Sequence, residues 1–147
     1  MKTFMEYAVE EAKKAAESGD VPVGAVIVKD GEIIASGYNM REKNASATAH
    51  AEILAIESAC KKLGTRDLTG CRMYVTLEPC PMCAGAILMS GISHVYFGAY
   101  EEKYGAAGSV FNLYYDYVFP KTVKFRGGIM EKECAALLKD FFEKLRG

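Results

Sequence analysis

A strand, an apolar helix and a second strand follow one another between residues 72 and 97, and this order restricts the fold more than any other feature. Arg72–Leu77 and Ile92–Phe97 are rich in β-branched and aromatic residues, which predicts strands. Pro81–Met89 predicts the helix between them, with a stop at Gly91. Because that helix offers little polar surface, we expect a buried crossover that joins two parallel strands of one sheet.

Hydrophobic periodicity and turn residues predict the other elements. In chain order they are a helix from Phe4 to about Ser18-Gly19, strands at Val23–Lys29 and Ile33–Tyr38 around Asp30-Gly31, a polar connector at Met40–Ser46, a helix from Thr48 to Gly64, a strand at Thr122–Phe125 and a helix at Glu131–Arg146. The segment Tyr100–Pro120 shows no decisive pattern. The predicted fold class is α/β, a three-layer α/β/α sandwich whose mixed five-stranded sheet carries helices on both faces.

Length and charge limit the organisation and the partners. A chain of 147 residues with 50% hydrophobic residues predicts one domain over residues 1–147. A formal net charge of -1 excludes the strongly basic profile of proteins that coat DNA, so no DNA partner is expected and any nucleic-acid contact must be local. No apolar run approaches the roughly 18 residues of a membrane span, which predicts a soluble, cytoplasmic protein without a membrane partner.

Cys80 and Cys83 have the spacing of metal ligands at a helix start. Pro81 suits the first helical position, and the positive end of the helix dipole favours the thiolate form that binds metal. His50 stands in the predicted first turn of another helix. Two sulfurs and one imidazole are three of the four ligands of tetrahedral zinc, which is typical of catalytic zinc with one open position. The predicted cofactor is Zn²⁺, one ion per subunit.

Glu52, two residues after His50, is the candidate proton carrier. Zinc lowers the pKa of bound water towards about 7, and a neighbouring carboxylate can take that proton and pass it to a substrate. Two alternatives stay open for the cysteine pair: a structural zinc site completed from Cys71, His50, His94 or Cys134, and a redox dithiol.

Several motifs carry a resemblance that spans nearly the whole chain. They are Val21–Val26, Thr48–Ile53 with its His-Ala-Glu, Thr76–Ala86 with its Pro-Cys-Pro-Met-Cys, Gly105–Ser109 and Glu133–Leu138. His-x-Glu followed by Pro-Cys-x-x-Cys resembles the cytidine-deaminase-like zinc deaminases. Within that superfamily the combination looks like the bacterial tRNA adenosine deaminases, which act at the wobble position of the anticodon.

The resemblance implies a fold, a reaction and partners. The fold would be the three-layer sandwich of the cytidine deaminase type, and the chain would be a homodimer that binds a tRNA anticodon stem-loop. His50, Cys80 and Cys83 would hold zinc, and Glu52 would be the catalytic acid and base. The reaction would be attack of zinc-activated water on C6 of adenine, protonation at N1 and loss of ammonia to give inosine.

The same resemblance implies contacts to substrate. Implied substrate-binding residues are Asn39, Pro22, Val23, Ala25, Ala51 and Glu101, and possible RNA contacts are Lys103, Phe142, Lys144 and Arg146. Some of them have an ordinary structural alternative: a turn for Asn39, a loop carboxylate for Glu101 and a core position for apolar residues of the last helix.

Two departures from the relatives leave alternatives open. Ser46-Ala47 stands where the relatives usually have Asp-Pro, and the stretch Tyr114–Pro120 is aromatic where they carry Asn-His. That stretch could stack on RNA bases or fill a core or a dimer contact. Two rival functions remain: deamination of a free nucleobase or nucleoside of guanine, adenine or cytosine type, and a non-catalytic, zinc-stabilised RNA-binding module.

Overall fold

Five strands lie side by side in one sheet, in the order β2-β1-β3-β4-β5. The structure, a computed structural model, describes residues 1–115 and 119–147. The strands are β1 (Gly24–Lys29), β2 (Glu32–Tyr38), β3 (Arg72–Leu77), β4 (His94–Ala99) and β5 (Lys124–Arg126), and the helices are α1 (Phe4–Glu17), α2 (Ala51–Leu63), α3 (Pro81–Ser90) and α4 (Glu131–Arg146).

The pairing of the strands confirms the predicted mixed sheet. β1 pairs antiparallel with both β2 and β3, whereas β3 and β4 are parallel, as are β4 and β5. One hydrophobic cluster joins the sheet to α2 and α3, and a second joins its opposite face to α1 and α4. The predicted α/β/α sandwich is therefore confirmed, including the buried crossover helix α3 between two parallel strands.

The predicted hairpin turn at Asp30-Gly31 is present. Both residues have positive φ, 51° and 79°, and Lys29 pairs with Glu32 across the turn. Positive φ at both central positions is the requirement of a type I′ turn, which Asp-Gly meets with little strain. The turn fixes the register of β1 and β2.

Two glycines let helices approach the sheet closely. A Cβ at Gly24 would lie 2.2 Å from the carbonyl oxygen of Ala8 in α1. A Cβ at Gly37 would lie 2.6 Å from the carbonyl oxygen of Ala51 and 2.8 Å from the amide nitrogen of Ala55, both in α2. The start of α2 therefore rests directly on β2.

The starts of three elements lie two or three residues after the predicted ones. The strand predicted from Ile92 begins at His94. The helix predicted from Thr48 begins at Ala51, because His50 has extended backbone with ψ 154° and acts as the N-cap. The fifth strand begins at Lys124 rather than Thr122, since its pairing partners on β4 start at His94.

The segment predicted without regular structure is a chain of turns in its described part. It holds an isolated bridge between Ala107 and Asn112. Tyr114 is buried, whereas Tyr115 and Phe119 are exposed. The rest of the aromatic stretch, residues 116–118, lies outside the described residues.

Helices long and apolar enough to cross a membrane are not found in the described part of the chain. The interpretation of residues 1–147 as one domain stays a prediction.

Candidate active site

The three predicted metal ligands meet where α2 and α3 begin. His50 is the N-cap of α2, and Cys80 is the N-cap of α3, with extended backbone at both residues. Pro81 occupies the first turn of α3 as predicted, and Cys83 follows one turn after Cys80. Because α2 packs on β2 and α3 follows β3, the two helix starts bring one imidazole and two sulfurs together.

The distances fit zinc. The Nδ1 atom of His50 lies 3.8 Å from Sγ of Cys80 and 3.5 Å from Sγ of Cys83. In tetrahedral zinc sites, Zn–S of about 2.3 Å and Zn–N of about 2.0 Å put sulfur and nitrogen roughly 3.5 Å apart. All three ligand atoms lie within 4.8 Å of one another. The donor set and its spacing therefore suit Zn²⁺.

The group of candidate metal ligands has three members within residues 1–115 and 119–147. Cys71 and Cys134 are buried in the two hydrophobic clusters, and Nδ1 of His94 pairs with the Ser93 hydroxyl at 2.9 Å. The structural zinc alternative needs ligands from these residues, and their side chains lie elsewhere. The geometry favours the open, three-ligand arrangement.

The two thiols interact strongly. The hydrogen bond from Cys83 lowers the pKa of the Cys80 thiol to about 4, and the same contact with Cys80 raises the pKa of Cys83. The contact with Cys80 also raises the pKa of His50. The site thus stabilises a thiolate, which is the form that a zinc ion requires from cysteine.

Glu52 lies in the first turn of α2 and is only 4% exposed. Burial raises the pKa of its carboxyl to about 7. A carboxyl with a pKa near neutrality can both take up and release a proton under physiological conditions. The residue proposed from sequence as a proton carrier therefore has the position and the acidity for that task.

A cavity of about 230 Å³ opens over these groups. Its lining contains apolar side chains near β1 and β3, polar side chains from α2 and from several loops, and aromatic side chains. The lining residues are Val21, Val23, Asn39, Arg41, His50, Glu52, Leu77, Glu78, Cys80, Glu101, Tyr104 and Phe142. Four residues implied as contacts, Val23, Asn39, Glu101 and Phe142, are among them. The cavity is a pocket with a metal site on its floor.

The remaining implied contacts lie outside this lining. Ala25 and Ala51 are fully buried in the hydrophobic cluster that joins the sheet to α2. Pro22 is buried beside Val23. Lys103, Lys144 and Arg146 are exposed. Ala25 and Ala51 were implied as substrate contacts but lie in the core, because their short side chains allow α2 to pack closely on the sheet.

Asn39 brings an unsatisfied acceptor to the pocket. Its amide nitrogen donates to the carbonyl oxygen of Val21 at 3.3 Å. Its Oδ1 atom is buried and has no hydrogen-bond partner among the described residues. Buried polar atoms are nearly always paired, so an orphaned acceptor in a pocket indicates a place for a ligand donor.

The connector after Asn39 is held by two side chains, and one of them, Asp20, gives no signal in the sequence. The buried Asp20 carboxylate accepts from the amides of Glu42 and Lys43 at 2.9 and 3.3 Å. The Ser46 hydroxyl accepts from the amide of Thr48 at 3.3 Å and so stabilises a local turn before α2. Arg41, which belongs to this connector, lines the pocket.

Comparisons with known proteins agree with this geometry. The family model for the cytidine and deoxycytidylate deaminase zinc-binding region matches residues 1–99. A tRNA-specific adenosine deaminase of Bacillus subtilis (strain 168) is 49% identical over 143 residues, which cover 97% of this chain and 89% of the relative.

Two solved structures share the architecture. One, from work on A-to-I editing by tRNA:A34 deaminases at the wobble position of transfer RNA, has a TM-score of 0.88 and 42% identity, and the match covers 92% of this chain and 98% of that chain. Guanine deaminase from Nitrosomonas europaea has a TM-score of 0.82 at 25% identity, with 94% of this chain and 82% of that chain covered. The fold therefore serves both an RNA substrate and a free base.

Replacing Cys83 tests the metal site. We expect purified wild-type protein to carry about one zinc ion per chain and Cys83→Ser to lose most of it, because a hydroxyl is a far weaker zinc ligand than a thiolate. Metal content per chain is measured by mass spectrometry after dialysis. Cys60→Ser is the matched control, since Cys60 lies in α2 outside the ligand group; loss of zinc in both variants, or in neither, contradicts the assignment.

Proposed function

The chain belongs to the family of the cytidine and deoxycytidylate deaminase zinc-binding region, and on this premise we propose that it is a zinc-dependent hydrolase that converts adenosine to inosine at the wobble position of a tRNA anticodon. The observation that carries the proposal is that the ligand group of His50, Cys80 and Cys83 lies beside a pocket that His50, Cys80 and Glu52 line. Named relatives that cover nearly the whole chain supply the substrate class.

Each of these residues has a defined task in the reaction. His50, Cys80 and Cys83 would hold Zn²⁺, which would supply Lewis-acid activation of water near neutral pH. Glu52 would accept a proton from the water that attacks C6 and deliver it to N1 of adenine. The second water proton, left on the new C6 hydroxyl group, would then pass through Glu52 to the departing amine, so that ammonia leaves and the carbonyl group of inosine forms. With a pKa of about 7, the Glu52 carboxyl can take up or release a proton near neutral pH at little cost in free energy.

The pocket suits one unstacked base. Val21, Val23 and Leu77 give it apolar walls, and the free Oδ1 atom of Asn39 can accept a hydrogen bond from the bound nucleotide. A base inside an RNA helix cannot reach such a pocket, whereas a loop nucleotide can turn out of the stack and enter. The wobble adenosine of an anticodon loop meets this requirement.

Removing the carboxyl of Glu52 tests the enzymatic role. We expect Glu52→Ala to bind zinc and to fold as the wild type does, yet to release ammonia at least about a hundredfold more slowly, because general acid and base transfer is worth roughly 10²–10⁴ in rate. The substrate is an anticodon stem-loop with a wobble adenosine, and the products are inosine and ammonia.

Glu57→Ala is the control for this test, because Glu57 is exposed on the same helix. Full activity in Glu52→Ala would remove Glu52 from the mechanism. A wild-type protein that released ammonia from no RNA and no purine would support the non-catalytic RNA-binding module instead.

The rim of the pocket favours RNA over a free base. Tyr104 and Phe142 line the cavity and are 65% and 41% exposed, so they can stack on neighbouring bases. Lys144 and Arg146, in the last turn of α4 after Phe142, are exposed cations that can meet phosphates. A deaminase of free bases needs neither feature.

Reversing the charge of Lys144 and Arg146 together tests this surface. We expect the Lys144→Glu, Arg146→Glu variant to raise KM for the stem-loop by about tenfold and to flatten its salt dependence, because each lost phosphate contact removes about 0.7–0.9 from the logarithmic salt slope. Zinc content stays unchanged.

The matched control reverses Lys61 and Lys62, exposed at the far end of α2. Equal salt slopes in wild type and in the Lys144, Arg146 variant would refute these RNA contacts. A wild type that acts on free purines but not on the stem-loop selects the free-base deaminase.

We propose that the chain is a homodimer through an apolar surface beside α3. Tyr114 donates to the carbonyl oxygen of Ala84 at 3.1 Å, which ties the segment before residue 116 to that helix. Large apolar side chains on α3 and on the segments either side of residues 116–118 are exposed by 42–70%: Met89, Val110, Phe111, Tyr115 and Phe119. A patch of this kind commonly marks a protein interface, and two-fold pairing of identical patches is the commonest arrangement.

Sedimentation velocity tests the dimer. We expect wild type to sediment as a dimer at micromolar concentration and Phe111→Asp to sediment as a monomer, because a buried unpaired carboxylate is costly. Leu145→Asp, which changes an exposed apolar residue of α4, serves as the control. A monomeric wild type, or a dimer unaffected by Phe111→Asp, rules out this surface.

The free cysteines indicate the compartment in which the protein works. Cys80 must remain a thiol or thiolate to hold zinc, and all five cysteines are free. Such thiols persist in a reducing compartment, so the proposal includes a cytoplasmic location. Fractionation of cells that express the chain is the check, and recovery outside the cytoplasm would contradict it.

A further inference from the structure

Glu78 is a buried carboxylate with a full set of partners. It follows β3 directly, precedes Cys80 by two residues and is 2% exposed. Its Oε1 atom accepts from the Glu101 amide at 3.1 Å and from the Ser109 hydroxyl. Its Oε2 atom accepts from the amides of Ala107 and Ser109 at 3.0 and 3.1 Å.

All four donors come from one loop. Residues 101–109 curve around the carboxylate, and Gly105 leaves room for it, since a Cβ there would lie 2.6 Å from Oε2 of Glu78. The next peptide adds a bond from the Ala106 amide to the carbonyl oxygen of Pro79 at 2.9 Å. The loop is therefore held by Glu78 together with Ala106 and Ala107, which are buried in the hydrophobic cluster between the sheet and α2.

The same loop forms one wall of the pocket. Glu101 and Tyr104 belong to the lining, and the Glu101 carboxylate accepts from the Lys103 amide at 2.8 Å. Glu78 thus connects this wall to the turn that carries Cys80. Its oxygens are occupied by the loop, which leaves them no role in binding the reacting atoms.

We propose that Glu78 is a positioning residue for substrate recognition: it fixes loop 101–109 so that Glu101 and Tyr104 face the bound nucleotide. This inference rests on the proposed function. Nothing in Pro-Cys-x-x-Cys chemistry requires a carboxylate at this place, because Glu78 is not in the group of ligand atoms. Its role lies in the wall, through four hydrogen bonds to one loop.

Glu78→Gln is the sharpest change, because it keeps the size of the side chain and alters only its acceptors. One carboxylate oxygen becomes an NH₂ group, which donates hydrogen bonds and cannot accept them. The loop donors that face this group therefore lose their acceptor. If the NH₂ group replaces Oε2, the amides of Ala107 and Ser109 lose their acceptor. If it replaces Oε1, the Glu101 amide loses its acceptor, while the Ser109 hydroxyl can turn and accept instead. The loop should then open more often, while β3 and α3 keep their packing.

Hydrogen exchange measures the loop without reference to activity. We expect the amides of Glu101, Ala107 and Ser109 to exchange at least about tenfold faster in Glu78→Gln, as loss of charge-assisted hydrogen bonds predicts. Amides of β1 and β3 should exchange as in wild type. Glu102→Gln, an exposed change in the same loop, is the matched control and should leave all these rates unchanged.

Kinetics then separate substrate positioning from simple support of the fold. We expect Glu78→Gln to raise KM for the anticodon stem-loop by about tenfold, with kcat within about threefold and zinc content unchanged. Ser109→Ala, which removes only the hydroxyl donor, should give a smaller rise in KM.

Three results overturn the inference. The first is unchanged exchange of the three loop amides. The second is loss of zinc, or a fall in kcat at constant KM, either of which would make Glu78 a support for Cys80. The third is faster loop exchange with KM unchanged. A wild type that is inactive on RNA refutes the proposed function and this role in RNA recognition together, whereas the exchange data still report on the loop separately.

Discussion

The close approach of α2 to β2 at Gly37 is the contact on which the site depends. Any side chain at that position would collide with the backbone of Ala51 and Ala55 and push the helix away from the sheet. With glycine there, the start of α2 meets the start of α3, and His50 comes within reach of two sulfurs. The burial that raises the pKa of Glu52 follows from the same contact, because the first turn of α2 is pressed between sheet and α3.

Local patterns in the sequence were sufficient to predict much of the fold. Runs rich in β-branched and aromatic residues marked β1 to β4, the apolar stretch after Cys83 marked the crossover, and Asp30-Gly31 marked the hairpin turn. These signals act over a few residues, so they can be read without knowing tertiary contacts. The boundary at α2 was wrong by three residues, because a residue that caps a helix is adjacent to it in sequence but extended in its backbone.

The parts that sequence reasoning missed all depend on contacts between distant residues. Glu78 holds a loop that begins 23 residues later, and Asp20 holds a connector 22 residues away. A lone acidic residue gives no local signal of which amides it will accept from. Arg41 and Tyr104 were missed for the same reason, since a loop residue enters a pocket only when the loop is folded. One clue was present in Gly105, although its reason, the space needed by a carboxylate, is visible only in three dimensions.

His50 and Cys80 both stand just outside the hydrogen-bonded turns of their helices, and most of the surrounding wall comes from loops. The proposed function therefore assigns metal chemistry to the two helix starts and choice of substrate to the loops. A lineage with this scaffold could exchange one nucleobase for another by remodelling the segments near residues 21, 41 and 104, without disturbing the sheet or the sulfur pair. The coexistence of RNA-editing and free-guanine deaminases on one architecture is what such a separation permits.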